Sequence, residues 1–367
     1  MSQFESIHIQ GFRRLVDVKL ALRPLMVMIG ANGCGKTSLL EAWRLLAKSA
    51  DGKLSDTISS LGGFGELLTR PRSAGDETTG LSIAVRLKEQ SESRGKLFDD
   101  DEESFSIRLA RVGYGFRIDQ ELPITESVSG TPAEIFSRTL GTETQLSGAK
   151  GDKERILRET LASAGFFRPF DLADLRRPQS VQPELLPGEH GEALVACLYS
   201  LRETDRDRFE IVEDWLHAAF PDFERLEFPP VAAGMLALAW KDRQFTQPIY
   251  THQLSEGTLR FLWLTALLSS RHLPAVTLID EPEVSLHPQL LMLLVEMMRE
   301  ASKRTQIIVA TQSESLVRFL NPEEILVADL EEGATKFTWG DDLDIDHWLK
   351  DFSLNELWTM GVLGGRL

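Results

Sequence analysis

The stretch MIGANGCGKTSLLEA, residues 28–42, decides how this chain folds. Three glycines, Gly30, Gly33 and Gly35, fall within six residues and lead straight into Lys36, Thr37 and Ser38. The spacing is G-x-x-x-x-G-K-[ST], and each part of it has a physical reason. Glycines let backbone N–H groups converge on one anion, the helix that follows presents its positive end, and the lysine meets the β and γ charge of a phosphate chain. Thr37 adds a hydroxyl that can ligate Mg2+. The run LMVMIG before the loop reads as a buried strand. Leu39, Leu40, Trp43 and Leu46 recur at helical spacing after it, which predicts a helix over about 36–48.

Outward from this loop, FESIHIQ and VDVKLAL alternate as strands do, and SSLGGFGELLTRPRSAG is loop chemistry around a short apolar turn. LSIAVRLK, SFSIRLARV and GFRIDQEL read as three antiparallel strands, the first two separated by the acidic run DDDEES. Patterns weaken from about residue 127 to 187. They return as the helices GEALVACLYSLRE and RDRFEIVEDWLHAAF, the strand GMLALAW and the apolar helix after LSEGT. The end alternates in the α/β manner: AVTLID strand, helix over 288–302, then the strands TQIIVAT and EILVADL. There is no tandem repeat and no sustained heptad pattern.

Composition narrows the classes. With 367 residues, 42% hydrophobic and 26% charged, the chain can bury a substantial core. No uncharged apolar run approaches the roughly 18 to 20 residues of a bilayer span, and the start MSQFESIHIQGFRR lacks a leader pattern, so a cytoplasmic location without a membrane partner is expected. Cys34 and Cys197 are too few for a disulfide framework or a soft metal site. A net charge of −16 argues against indiscriminate coating of nucleic acid. The run 99–104 and Asp341, Asp342, Asp344 and Asp346 read as solvated loop acids.

Two further stretches carry chemistry. In AVTLIDEPEVSLHP, residues 275–288, an apolar strand ends in Asp280 and Glu281. A carboxylate at that strand end can hold Mg2+, and its neighbour can align or deprotonate a water; an N-cap acid pair after a core strand is the minor alternative. In LSEGTLR, residues 254–260, Ser255 is placed to cap the helix that follows, with Gly257 beside it.

Taken in order, GANGCGKT, LSEGTLR, LIDEPEVSLHP and IVATQSESL resemble the ATP-binding-cassette ATPases, and within them the soluble branch related to RecF and SMC heads, specifically small bacterial AAA-type ATPases without long coiled coils. The resemblance runs over nearly the whole chain. It implies an α/β ABC-ATPase head, a P-loop sheet with an antiparallel β subdomain plus an inserted mainly helical subdomain. The corresponding segments are 1–125, 126–250 and 251–367. The implied ligands are ATP and Mg2+. Gly30, Asn32, Gly33, Gly35, Lys36, Thr37 and Ser38 would hold the nucleotide, and Ser255 and Gly257 would complete the γ-phosphate site of an opposite subunit in an ATP-sandwiched homodimer. Thr37 and Asp280 match the metal-binding pair and Glu281 the catalytic glutamate. SLHP, with His287, looks like the segment that crosses the dimer interface. Arg13 in GFRR matches an arginine directed at nucleotide, or is a solvated strand-end arginine.

One position departs from the family. Gln312 stands where a γ-phosphate histidine is usual, and an amide donates a hydrogen bond without taking up a proton. ATP binding should survive, and hydrolysis should be slow. No Mg2+-sensing glutamine is assigned between Gly62 and Gln120. The resemblance also implies DNA, or a separate nuclease or toxin effector, as partner, with Arg70, Arg72, Arg168, Arg176 and Arg177 as candidate phosphate contacts. No acidic cluster at nuclease spacing follows the last ATPase motif. A transporter subunit fits poorly, because LSEGTLR lacks the glutamine-ended signature and the interval 38–253 is too long. The remaining rival is a regulatory ATP-binding module with little hydrolysis.

Overall fold

The computed structural model describes residues 4–70, 79–88, 105–123, 141–148, 152–168, 172–345, 348 and 352–364. Arg72, the acidic run 99–104 and Asp346 lie outside them. The chain forms two compact units, residues 1–164 with 322–367, and residues 165–321.

In the first unit, five strands make an antiparallel sheet in the order Leu15–Ala21, Phe4–Phe12, Gly80–Leu87, Phe105–Val112, Gly115–Pro123. All five are legible as alternating runs. Ile7 and Ile9 face inward between half-exposed neighbours, the period that a one-sided sheet imposes, and Phe4 is buried with them across a register shift between Phe4 and Ser6. The strand Leu25–Ile29 is buried at every position and runs parallel to Ile325–Glu331. That strand turns back into Ala334–Trp339 through Glu332 and Gly333, both with positive φ. The helix Lys36–Ala50 follows the glycine loop and buries Leu39, Leu40, Trp43 and Leu46, the residues expected from the spacing.

In the second unit, Val276–Asp280 and Gln306–Ala310 run parallel in register, with Ala164–Phe167 on the other side of Val276–Asp280. The helices Leu194–Thr204, Arg206–Ala219, Glu256–Ser269 and Pro288–Ser302 belong to the same unit. The stretch 126–250 is more mixed than its helices suggest, with two small three-stranded sheets. GMLALAW accordingly is two strands and not one: Met235–Leu236 pairs with 179–180, whereas Ala239–Asp242 pairs with Phe223–Glu227, so the backbone changes sheets between them. Among the described residues no helix is long and apolar enough to cross a membrane.

Trp43 is 1% exposed and its ring meets Phe4 edge-on at 5.1 Å. Its Nε1 finds no acceptor among the described residues. Trp43→Ala is therefore expected to destabilise the first unit by about 3 to 5 kcal/mol in denaturant titration, and Trp43→Phe by much less, because the volume and not the N–H is used. A loss under about 1 kcal/mol for Trp43→Ala would contradict this packing.

Candidate functional site

The glycine loop of the first unit is shaped by close approach as much as by its own flexibility. Gly30 has φ +148° and Gly35 φ +105°. A Cβ on Gly30 would lie 2.3 Å from the Ala328 carbonyl oxygen, and one on Gly35 would lie 2.3 Å from Thr335 Oγ1. Gly33, at φ +75°, faces open space. Lys36 is buried and folds back over the loop, its Nζ donating to the carbonyls of Gly30 at 2.6 Å and Ala31 at 3.0 Å, with Cys34 Sγ at 3.7 Å. The helix Lys36–Ala50 begins with no side-chain cap and no acid in its first turn. Its first backbone donors therefore have no carboxylate or hydroxyl competing with an incoming anion. Asn32, Gly33 and Thr37 are exposed around this helix end, and Ser38 is buried. This donor set fits a phosphate chain, and the exposed Thr37 hydroxyl fits a hard, oxygen-seeking cation such as Mg2+.

Arg13 stands elsewhere than in open solvent. Its backbone is left-handed at φ +50°, its N–H donates to the Leu67 carbonyl, and its guanidinium lies 2.5 Å from Glu41 Oε2 on the helix Lys36–Ala50.

The second unit assembles the acids. Asp280 ends its strand at 4% exposure, with Arg168 Nε at 3.2 Å from Oδ2. Arg168 is fixed at its backbone as well: its N–H donates to the Glu189 carbonyl and its own carbonyl accepts from His190 Nδ1. An arginine that looked like a surface phosphate contact is thus the counterion of the metal-ligand candidate. Glu281 has φ +50°, an uncommon conformation for a non-glycine residue, and its N–H donates to the Ala310 carbonyl. Gln312 Nε2 donates to Glu281 Oε1 at 2.7 Å, so these two candidates are brought together. Glu283, not singled out from sequence, accepts from Thr311 Oγ1 at 2.5 Å and from the Gln312 N–H at 3.4 Å. Its Oε2 has no partner among the described residues. Burial pushes the Glu283 carboxyl above the usual carboxylate range, against the lowering effect of its hydrogen bonds.

Ser255 caps the helix Glu256–Ser269, its hydroxyl accepting from the Thr258 N–H at 3.1 Å. Glu256, between the two residues read from sequence, accepts from Ser285 Oγ at 2.7 Å and Arg260 Nε at 2.9 Å. His287 is exposed and caps the helix Pro288–Ser302 through Nδ1. Of the other arginine candidates, Arg70 is exposed and pairs with Glu66, and Arg176 and Arg177 are exposed.

A family model described as "AAA domain, putative AbiEii toxin, Type IV TA system" matches residues 25–318, most of the chain, including the glycine loop, the Ser255 cap and the acids 280–283. The chain belongs to this AAA family. No curated protein matches it in sequence. Among solved structures it is similar to an SMC head bound to the C-terminal winged-helix domain of ScpA, with TM-score 0.58 and 15% identity over 92% of this chain and 97% of that one. It is likewise similar to an SMC head with an extended coiled coil bound to the C-terminal domain of ScpA from Pyrococcus furiosus, with TM-score 0.55 and 13% identity over 98% of both. At such identities the likeness speaks for the fold, and the AAA chain has the mixed α/β fold of an SMC ATPase head.

Because burial raises the Glu283 pKa, the stability of the folded chain depends on pH. The unfolded carboxyl ionises first as pH rises past about 4.3, so the folded state loses stability from there up to the folded pKa. Glu283→Gln removes this loss. Its melting temperature relative to the original chain should therefore be more favourable at about pH 8 than at about pH 4. A difference independent of pH would contradict the burial penalty.

Proposed function

We propose that this AAA-family chain binds and hydrolyses ATP and dimerises head to head around two ATP molecules, working in the cytoplasm as a clamp or switch on DNA or on a separate nuclease or toxin effector. The observation that carries the reading is the glycine loop running into a helix start free of caps and acids, with Lys36 buried over it. In this reading Gly30, Asn32, Gly33, Gly35, Lys36, Thr37 and Ser38 bind the triphosphate. Ser255 and Gly257 complete the site on the opposite copy, and Arg13 leaves Glu41 for the nucleotide. Thr37 and Asp280 would hold Mg2+, which when bound screens phosphate charge. Glu281 orients water and accepts its proton, and Gln312 steadies Glu281 through its amide.

The same amide contact favours a second reading. Gln312 already occupies Glu281 Oε1 and cannot itself take up a proton, which suits a regulatory head that binds ATP, closes and seldom turns over. The family description names an AbiEii toxin of a toxin–antitoxin system, and the SMC heads are bound to ScpA; both support an effector or partner protein for this chain.

Variants separate the two readings. Lys36→Ala is expected to abolish ATP binding in both. Glu281→Gln should remove turnover and accumulate an ATP-bound dimer if the chain hydrolyses, and Gln312→His should raise turnover. A Glu281→Gln chain indistinguishable from the original in turnover and mass favours the regulatory head.

A further inference from the structure

The segment after Glu281 and the N-terminus of the helix Glu256–Ser269 are fastened to each other inside the second unit. One oxygen, Glu256 Oε1, accepts from Ser285 Oγ at 2.7 Å and from Arg260 Nε at 2.9 Å. Next to it, Gly257 lies so close to the segment that a Cβ there would sit 2.4 Å from the Ser285 carbonyl oxygen. Ser285 itself has φ +65°, a conformation that is unfavourable for a non-glycine residue and persists when its surroundings hold it. It also belongs to a tight run of turns that begins at the catalytic candidate: the Val284 N–H donates to the Glu281 carbonyl and the Leu286 N–H to the Glu283 carbonyl.

We infer that Glu256 is a positioning residue, a clasp that makes the Ser255–Gly257 tip and the 281–286 turn move as one piece. The inference rests on the reading of Ser255 and Gly257 as contacts to the opposite copy's ATP. Under that reading, the tip feels the γ-phosphate of one nucleotide while Glu281 serves another. A rigid link between tip and turn lets occupancy at the first reach the geometry of the second. The carboxylate suits this role because the Ser285 hydroxyl, followed by Arg260, holds its pKa below the ordinary range, so it stays charged near neutrality. Gly257 contributes by leaving room for the Ser285 carbonyl, a packing reason for glycine that needs no ligand.

The test uses the full chain with Glu256→Ala, Ser285→Ala, the double variant and Glu256→Gln. Amide hydrogen exchange of nucleotide-free protein reads the clasp directly. In Glu256→Ala the Val284 and Leu286 amides should exchange about tenfold faster, while those of Val276–Asp280 keep their protection and so report an intact fold. ATP-driven dimerisation should weaken by about tenfold in Glu256→Ala and in Ser285→Ala, and the double variant should be no worse than either, as two ends of one contact require. Glu256→Gln, whose amide oxygen still accepts the Ser285 hydroxyl, should restore most of both. Unchanged exchange at Val284 and Leu286, or additive losses in the double variant, would overturn the clasp. An original chain that stays single with ATP would instead refute the sandwich, and the exchange comparison would still decide the clasp.

Discussion

Everything in the first unit is arranged around a turn that tolerates no side chain. At Gly30 the backbone passes within contact of the Ala328 carbonyl, and at Gly35 within contact of Thr335, so both strands of the 325–339 hairpin press against the loop. A side chain at either position would collide and also require a left-handed or extended positive φ. The result is a strand, Leu25–Ile29, that delivers the chain to a helix start with its N–H groups unclaimed by side chains. Lys36, folded over the same loop onto two carbonyls and the Cys34 thiol, adds a cation whose present partners are weak competitors for phosphate.

The second unit faces the opposite problem, three carboxylates within four residues. Each is met differently. Asp280 has the Arg168 guanidinium, Glu281 has the Gln312 amide, and Glu283 has the Thr311 hydroxyl at one oxygen and no partner among the described residues at the other. Repulsion between neighbouring acids is thereby met by a cation, an amide dipole and a hydroxyl donor, and burial raises the Glu283 pKa. The backbone strain at Glu281 and Ser285 sits in the same short run, where an altered position of one residue is transmitted to the next.

How much of this is legible in the sequence depends on the range of the interaction. The glycine loop, the charge-free strands and the helix faces of 36–50 and 288–302 announce themselves through local spacing, and they stand where the periodicity puts them. Ala334–Trp339 gives no such signal because its turn is Glu332–Gly333, one of many Glu and Gly neighbours, whose positive φ at a glutamate has no local signature. The Arg168–Asp280 pair joins residues far apart in sequence, and nothing near Arg168 sets it apart from other arginines. Glu256 is hidden differently, lying between the two residues that the motif names, with its partner Ser285 in another motif.

A chain of this AAA family with the fold of an SMC head carries a phosphate-ready loop on one unit and an acid cluster with a serine-capped helix on the other. In the proposed function, nucleotide supplies the contact between two copies. Light-scattering mass of the purified chain, without ligand and then with saturating ATP and Mg2+, tests it most directly. The mass should double on addition of ATP and return when the nucleotide is removed. A mass that is the same in both conditions would contradict it.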